Sequence, residues 1–164
     1  MATADDVLRA SFAHHVWATL ELIEALEALR ADLDAEIPGT YGSIAQTLTH
    51  LVDADDRYLQ RLTLQSLPAY EDHGAQPIAE LRERMTSHAE RWTEKLDQLD
   101  RGTLDATIVG HDDYPDTPHA ETLLLLQALH HGNDHRTQVC STLGALGLEV
   151  PDLDGWTYWA DGRG

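Results

Sequence analysis

Apolar residues recur along this chain at alternating spacings of three and four, and four stretches hold the pattern long enough to predict helices. The first covers residues 3–30, where Thr3 and Asp6 form a capping-box pair and Leu8, Phe12, Leu22, Leu26 and Leu29 share one stripe. The second covers 43–63, opening on another such pair, Ser43 and Gln46, with Ile44, Leu48, Leu51, Val52, Tyr58, Leu59 and Leu62 on its buried face. The third, over 77–100, carries Pro77 in its first turn and a stripe from Ile78 through Leu81, Met85, Trp92 and Leu96 to Leu99. The fourth, over 117–146, is expected to start with Thr117 as cap and Pro118 at the first position, and to stop at Gly147.

The connections carry information too. Between Thr63 and Gln76 the periodicity lapses, and Pro68 and Gly74 break the chain. So long a connection can cross the end of a bundle, so the second and third helices need not be antiparallel neighbours. Residues 101–118 are irregular; Leu104, Ala106, Ile108 and Val109 suit a short strand, and HDDYPDTP reads as turn. The tail holds Trp156, Tyr158 and Trp159, which suggests docking onto the bundle or onto a partner subunit. The expected architecture is a single all-α domain over residues 1–164, a four-helix bundle with a long crossover between helices 2 and 3.

Composition narrows the partners. Against 11 basic residues stand 29 acidic ones, a net charge of −18 with histidines neutral. Such a surface repels phosphate backbones and anionic lipid, so neither nucleic acid nor a membrane is an expected partner. One cysteine, Cys140, leaves no internal disulfide, and a cytoplasmic location is expected. The start, MATADDVLRA, lacks the basic residues and apolar run of a signal peptide.

Candidate chemistry lies with the 10 histidines. His131 and His135, four apart on a helix, project about 40° from one another and one turn apart, which is half of a metal site. His50 lies in the second helix among apolar residues, a setting in which most histidines are structural. His15 and His88 fall on buried stripes and read first as core histidines with hydrogen-bond partners. His14 is turned off the stripe, and His73 belongs to the crossover. Gly132 stands where a zinc protease of the H-E-x-x-H type would carry its glutamate, which excludes that class. No G-x-S-x-G, Walker or dinucleotide motif occurs. Cys140 lies about 180° around the helix from His131 and reads as a small buried apolar residue.

Three stretches carry a resemblance. TYGSIAQTLTHLVDADDRYLQRL, with His50 inside an amphipathic helix, resembles the second helix of the DinB-like family of metal-dependent enzymes. HHGNDHRTQ, residues 130–138, is similar to that family's last-helix signature, H-x-x-x-H-R with a Gln one residue on, and FAHHVWATLELIEAL to its first helix. The resemblance implies a four-helix bundle with a long second crossover and a three-histidine metal site, here His50, His131 and His135. Thr137 departs from a common Gly, and Gly132-Asn133 replace bulkier residues.

Three imidazoles leave a divalent cation an open position, the layout of a catalytic site rather than a closed structural one. Zinc is the expected ion, with nickel also suited to imidazole. By resemblance the function is a metal-dependent transferase of the thiol S-transferase type, with mycothiol or bacillithiol as cosubstrate, or a hydrolase. The alternatives are a non-catalytic metal-binding stress or regulatory module and a plain bundle with structural histidines. Asp134, Arg136 and Gln138 are candidates to orient substrate or ligands, and the resemblance together with the aromatic tail implies a homodimer.

Overall fold

The computed structural model describes residues 2–63, 74–99, 107–109 and 118–162. Among these are helices α1 (Ala4–Leu29), α2 (Ile44–Thr63), α3 (Ile78–Leu99), α4 (Glu121–Ala145) and α5 (Gly155–Ala160), and strands β1 (Thr107–Val109) and β2 (Pro118–Ala120). The molecule is an all-α bundle with one small ribbon.

Both expected capping boxes form. Asp6 N donates to Thr3 Oγ1 at 3.2 Å while Thr3 N donates to Asp6 Oδ2 at 2.7 Å, so two otherwise orphaned N–H groups are satisfied at the start of α1. At α2, Ser43 N donates to Gln46 Oε1 at 2.9 Å and Gln46 N to Ser43 Oγ at 3.3 Å. The stop of α4 is Gly147, at φ +70°, as its sequence position implied. Leu146 and Gly147 form the closing turn.

The start of α4 differs from expectation. Residues Pro118–Ala120 are not helical; they pair antiparallel with Thr107–Val109 in the register Thr107↔Ala120, Ile108↔His119, Val109↔Pro118. Ribbon pairing outcompetes the local Thr-Pro start signal, and the helix begins at Glu121. Ile108 and Val109 do form the expected strand, whereas Leu104, Ala106, residues 111–117 and His73 lie outside the described residues.

Contacts between helices give their directions. Gln76 N, at the entry to α3, donates to Thr49 Oγ1; Arg84 reaches Asp53; Lys95 Nζ donates to the Leu62 carbonyl. Partners rise together along both chains, so α2 and α3 are parallel neighbours. A parallel pair cannot be joined by a short turn, in keeping with the 14 residues that separate Thr63 from Ile78 in the sequence. Arg9 pairs with Asp97 and Glu27 with Arg82, so α1 and α3 are antiparallel. Helices α1 and α2 each pack on α3 and α4, which places them on a diagonal of the bundle.

Phe12, Leu22, Ile23, Leu48, Leu51, Met85, Trp92 and Leu143 are among the side chains that fill the core. The tail docks through one aromatic. Tyr158 packs on Trp17 with ring centroids 5.1 Å apart and edge-on to His14 at 5.5 Å, while His14 Nε2 donates to the Leu153 carbonyl at 2.8 Å. Trp156 and Trp159 stay exposed, at 83% and 68%. Asp154 caps α5 by accepting from Thr157 N at 2.8 Å. No described helix is long and apolar enough to cross a membrane.

Candidate metal centre

The antiparallel packing of α2 on α4 brings His50 over the turn that carries His131 and His135. His131 Nε2 lies 3.1 Å from His50 Nε2 and 3.2 Å from His135 Nε2. One sp² nitrogen has either one N–H or one lone pair, so it cannot make a well-directed hydrogen bond to both neighbours. A cation at the centre would satisfy all three. Nitrogens bound tetrahedrally about 2.0–2.1 Å from a zinc ion sit roughly 3.3 Å apart, close to the spacings found. The three ligand atoms lie within 4.8 Å of one another.

Electrostatics suit the same role. Burial, helped by His135 and His50, pushes His131 down to about 3, and burial also lowers His135. Both rings are therefore neutral at physiological pH, with lone pairs available to a metal. The donor set of three imidazoles fits a borderline divalent cation.

Around the three histidines stand aromatic and polar side chains. Tyr41, in the α1–α2 connection, stacks on His50 at 4.0 Å and 16° and meets His135 edge-on at 5.5 Å. Its backbone N–H donates to Gln138 Oε1 at 2.8 Å, so Gln138 anchors the loop that covers two of the three histidines. Tyr58 approaches His131 edge-on at 5.9 Å. Asp134 is exposed and acts on His135 only through its charge.

His15, His88 and Arg136 belong to a separate network in the bundle interior, to which all four long helices contribute. Its centre is Asp55 of α2, 2% exposed. Asp55 Oδ1 accepts from His15 Nε2 at 3.0 Å, and Oδ2 accepts from Trp92 Nε1 at 2.9 Å and lies 2.7 Å from His88 Nδ1. His88 Nε2 is 3.1 Å from Asp56 Oδ1. Burial alone would raise the Asp55 carboxyl, but His15 and His88 outweigh it and hold it well below the carboxylate range. Burial likewise opposes charge on His88, and Asp55 and Asp56 overcome it, raising His88. From α4, Arg136 Nη1 donates to the His15 carbonyl at 3.2 Å and to Thr19 Oγ1 at 3.0 Å, and lies 3.2 Å from His15 Nδ1. His15 thus donates to Asp55 from Nε2 and accepts from Arg136 at Nδ1.

The structure brings His50, His131 and His135 together and keeps His15 and His88 in the interior as core histidines. Cys140 is half-buried on the other side of α4, its thiol pushed up by burial. Sequence reasoning missed Asp55 and Tyr41. A carboxylate amid the apolar stripe of Leu51, Val52, Leu59 and Leu62 was a readable sign for Asp55; Tyr41 sits in a loop and carried none.

The chain belongs to the DinB family, whose model matches residues 1–162. It is similar in fold to a DinB-like protein from Bacillus cereus ATCC 10987, with TM-score 0.66 and 19% identity, covering 87% of this chain and 92% of that one. A DinB family member from Shewanella denitrificans matches with TM-score 0.58 and 18% identity, covering 89% and 85%. No curated protein matches the chain.

Proposed function

We propose that this protein is a divalent-metal-dependent enzyme, most simply a transferase that moves a low-molecular-weight thiol onto an electrophile. The observation that carries the metal reading is the approach of His131 Nε2 to both His50 Nε2 and His135 Nε2, which no set of hydrogen bonds accounts for. Zinc is the favoured ion and nickel the second choice. A cation held by His50, His131 and His135 would supply Lewis acidity, so that a thiol or water bound to it would lose its proton more readily.

The chain's own residues prepare that position. His131 and His135 stay neutral because they are buried, so binding does not first require their deprotonation at pH 7. Tyr41 shields His50 and His135 from solvent, and Gln138 holds Tyr41 in place. In thiol transfer the sulfur forms a bond to the electrophilic atom, the leaving group departs with its electron pair, and the thiol proton goes to solvent.

The covering Tyr41 also favours a second reading, a metal-binding stress or regulatory module without turnover. One assay separates them. Zinc- and nickel-loaded protein is incubated with mycothiol or bacillithiol and a fluorogenic electrophile. Conjugation that depends on metal and disappears in His131→Ala supports the transferase. Metal binding with no consumption of either thiol leaves the module.

A further inference from the structure

On the opposite flank of α4 from the one that meets His50 lies a cavity of about 510 Å³ between α1, α4 and α5. Its volume is in the range of small-molecule sites. The walls are mostly apolar, with Val7, Ala10, Leu129 and Trp159 among them, and Asn133 and Arg136 supply polar groups. In a chain with 29 acidic residues, this lining contains no carboxylate.

Arg136 is the unusual member. It is 5% exposed, and among the described residues no Asp or Glu lies within ion-pair distance of it. Among the described residues its hydrogen-bond partners, all at Nη1, belong to His15 and Thr19. Nε and Nη2 donate to no described residue. Asp55 acts on the guanidinium only through its charge, with His15 between them. A buried cation without a contacting anion is costly, and two free N–H groups on a planar fork match a carboxylate. A second cavity that shares Asn133 and Arg136 is lined by Asp152 and Asp154, which repel an anion. The cavity against α1 has no such repulsion.

We propose that this cavity binds a small organic monocarboxylate, with its anionic end on Arg136 and Asn133 and its apolar body against Leu129 and Trp159. The site does not depend on the metal reading, since the histidines face α2 and this cavity faces α1.

The test uses hexanoate as probe, with hexanol and inorganic phosphate for comparison, in ligand-observed NMR titrations of the full chain with and without metal. Hexanoate is expected to bind in the millimolar range or tighter, equally in both metal states, with hexanol and phosphate at least about tenfold weaker. Asn133→Asp, at an exposed helix position, places a like charge at the anionic end and should weaken hexanoate at least about tenfold while leaving the melting temperature intact. Trp159→Ala should weaken it too. Hexanol binding as tightly as hexanoate would make this an apolar cavity only, and phosphate binding as tightly would make it a general anion site. Hexanoate binding that vanishes on metal removal would assign the carboxylate to the histidines. An unaffected Asn133→Asp variant, or no binding, would overturn the proposal as well.

Discussion

The ring of His15 occupies the space where a side chain on Gly132 would begin. A Cβ placed on Gly132 would lie 2.6 Å from His15 Nδ1 and closer still to Cε1, in a buried layer where His15 is 1% exposed. The glycine at position 132 is thereby explained: it lets α1 bring His15 against α4. Gly132→Ala should therefore destabilise the protein by about 1–3 kcal/mol, although alanine is ordinarily the better helix former by about 1 kcal/mol. Urea denaturation checks this; a stabilised variant would show that α1 and α4 are not in this contact.

Asp55 should be among the most sensitive positions of the fold. It takes hydrogen bonds from His15 and Trp92 and an ion-pair contact from His88, from two other helices. Asp55→Asn removes the charge that offsets His88 and should cost about 3–5 kcal/mol. Denaturation of this variant at neutral pH measures it, and a loss below about 1 kcal/mol would mean the carboxylate is not the hub.

Much of this fold was legible because stripes of apolar residues encode helices locally. Leu8 and Phe12, or Leu48 and Leu59, report their burial through spacing alone, and the two capping boxes mark where α1 and α2 begin. The ribbon was half legible: Ile108 and Val109 looked like a strand, but its partner Pro118–Ala120 looked like a helix start, because pairing is a long-range choice. Helix α5 spans too few residues to show a period. The three-histidine cluster could not be read from spacing. A pair such as His131 and His135 is common, and His50 joined them only through the family resemblance. That Asp55 gathers His15 and His88 depends on residues 33 and 40 positions away, and neither distance leaves a local trace.

Acidification should weaken the metal-free protein. His131 titrates near 6.5 when unfolded and about 3 when folded, because burial and the neighbouring histidines disfavour its charge. A depressed folded value means its contribution is complete above about 6.5 and is lost as pH falls toward 3. At pH 5 the loss from this one group is about 2 kcal/mol. His88, raised in the folded state, acts with the opposite sign: its stabilisation is present below about 6.5 and fades at higher pH. Comparing His131→Phe with the native chain isolates the first effect. The variant should lose less stability between pH 7 and pH 5, and equal slopes would contradict the assignment.

Tyr41 should govern access to the ligands rather than the fold, being 56% exposed yet stacked on His50. Tyr41→Ala should leave the melting temperature nearly unchanged and speed removal of metal by a chelator about fivefold, as expected for one lost aromatic contact of about 1 kcal/mol. Tyr41→Phe should behave as the native chain. Slower removal from the alanine variant would show that the ring does not cover the site.

The central claim is that His50, His131 and His135 together hold one divalent ion, and metal content per chain tests it most directly. Elemental analysis after reconstitution with zinc and desalting should find one ion per chain in the native protein and in Cys140→Ala. His50→Ala, His131→Ala and His135→Ala should each fall well below one while remaining folded by circular dichroism. A native protein that takes up no ion, or a His50→Ala variant that keeps its full complement, would contradict the three-histidine site and the enzymatic reading built on it.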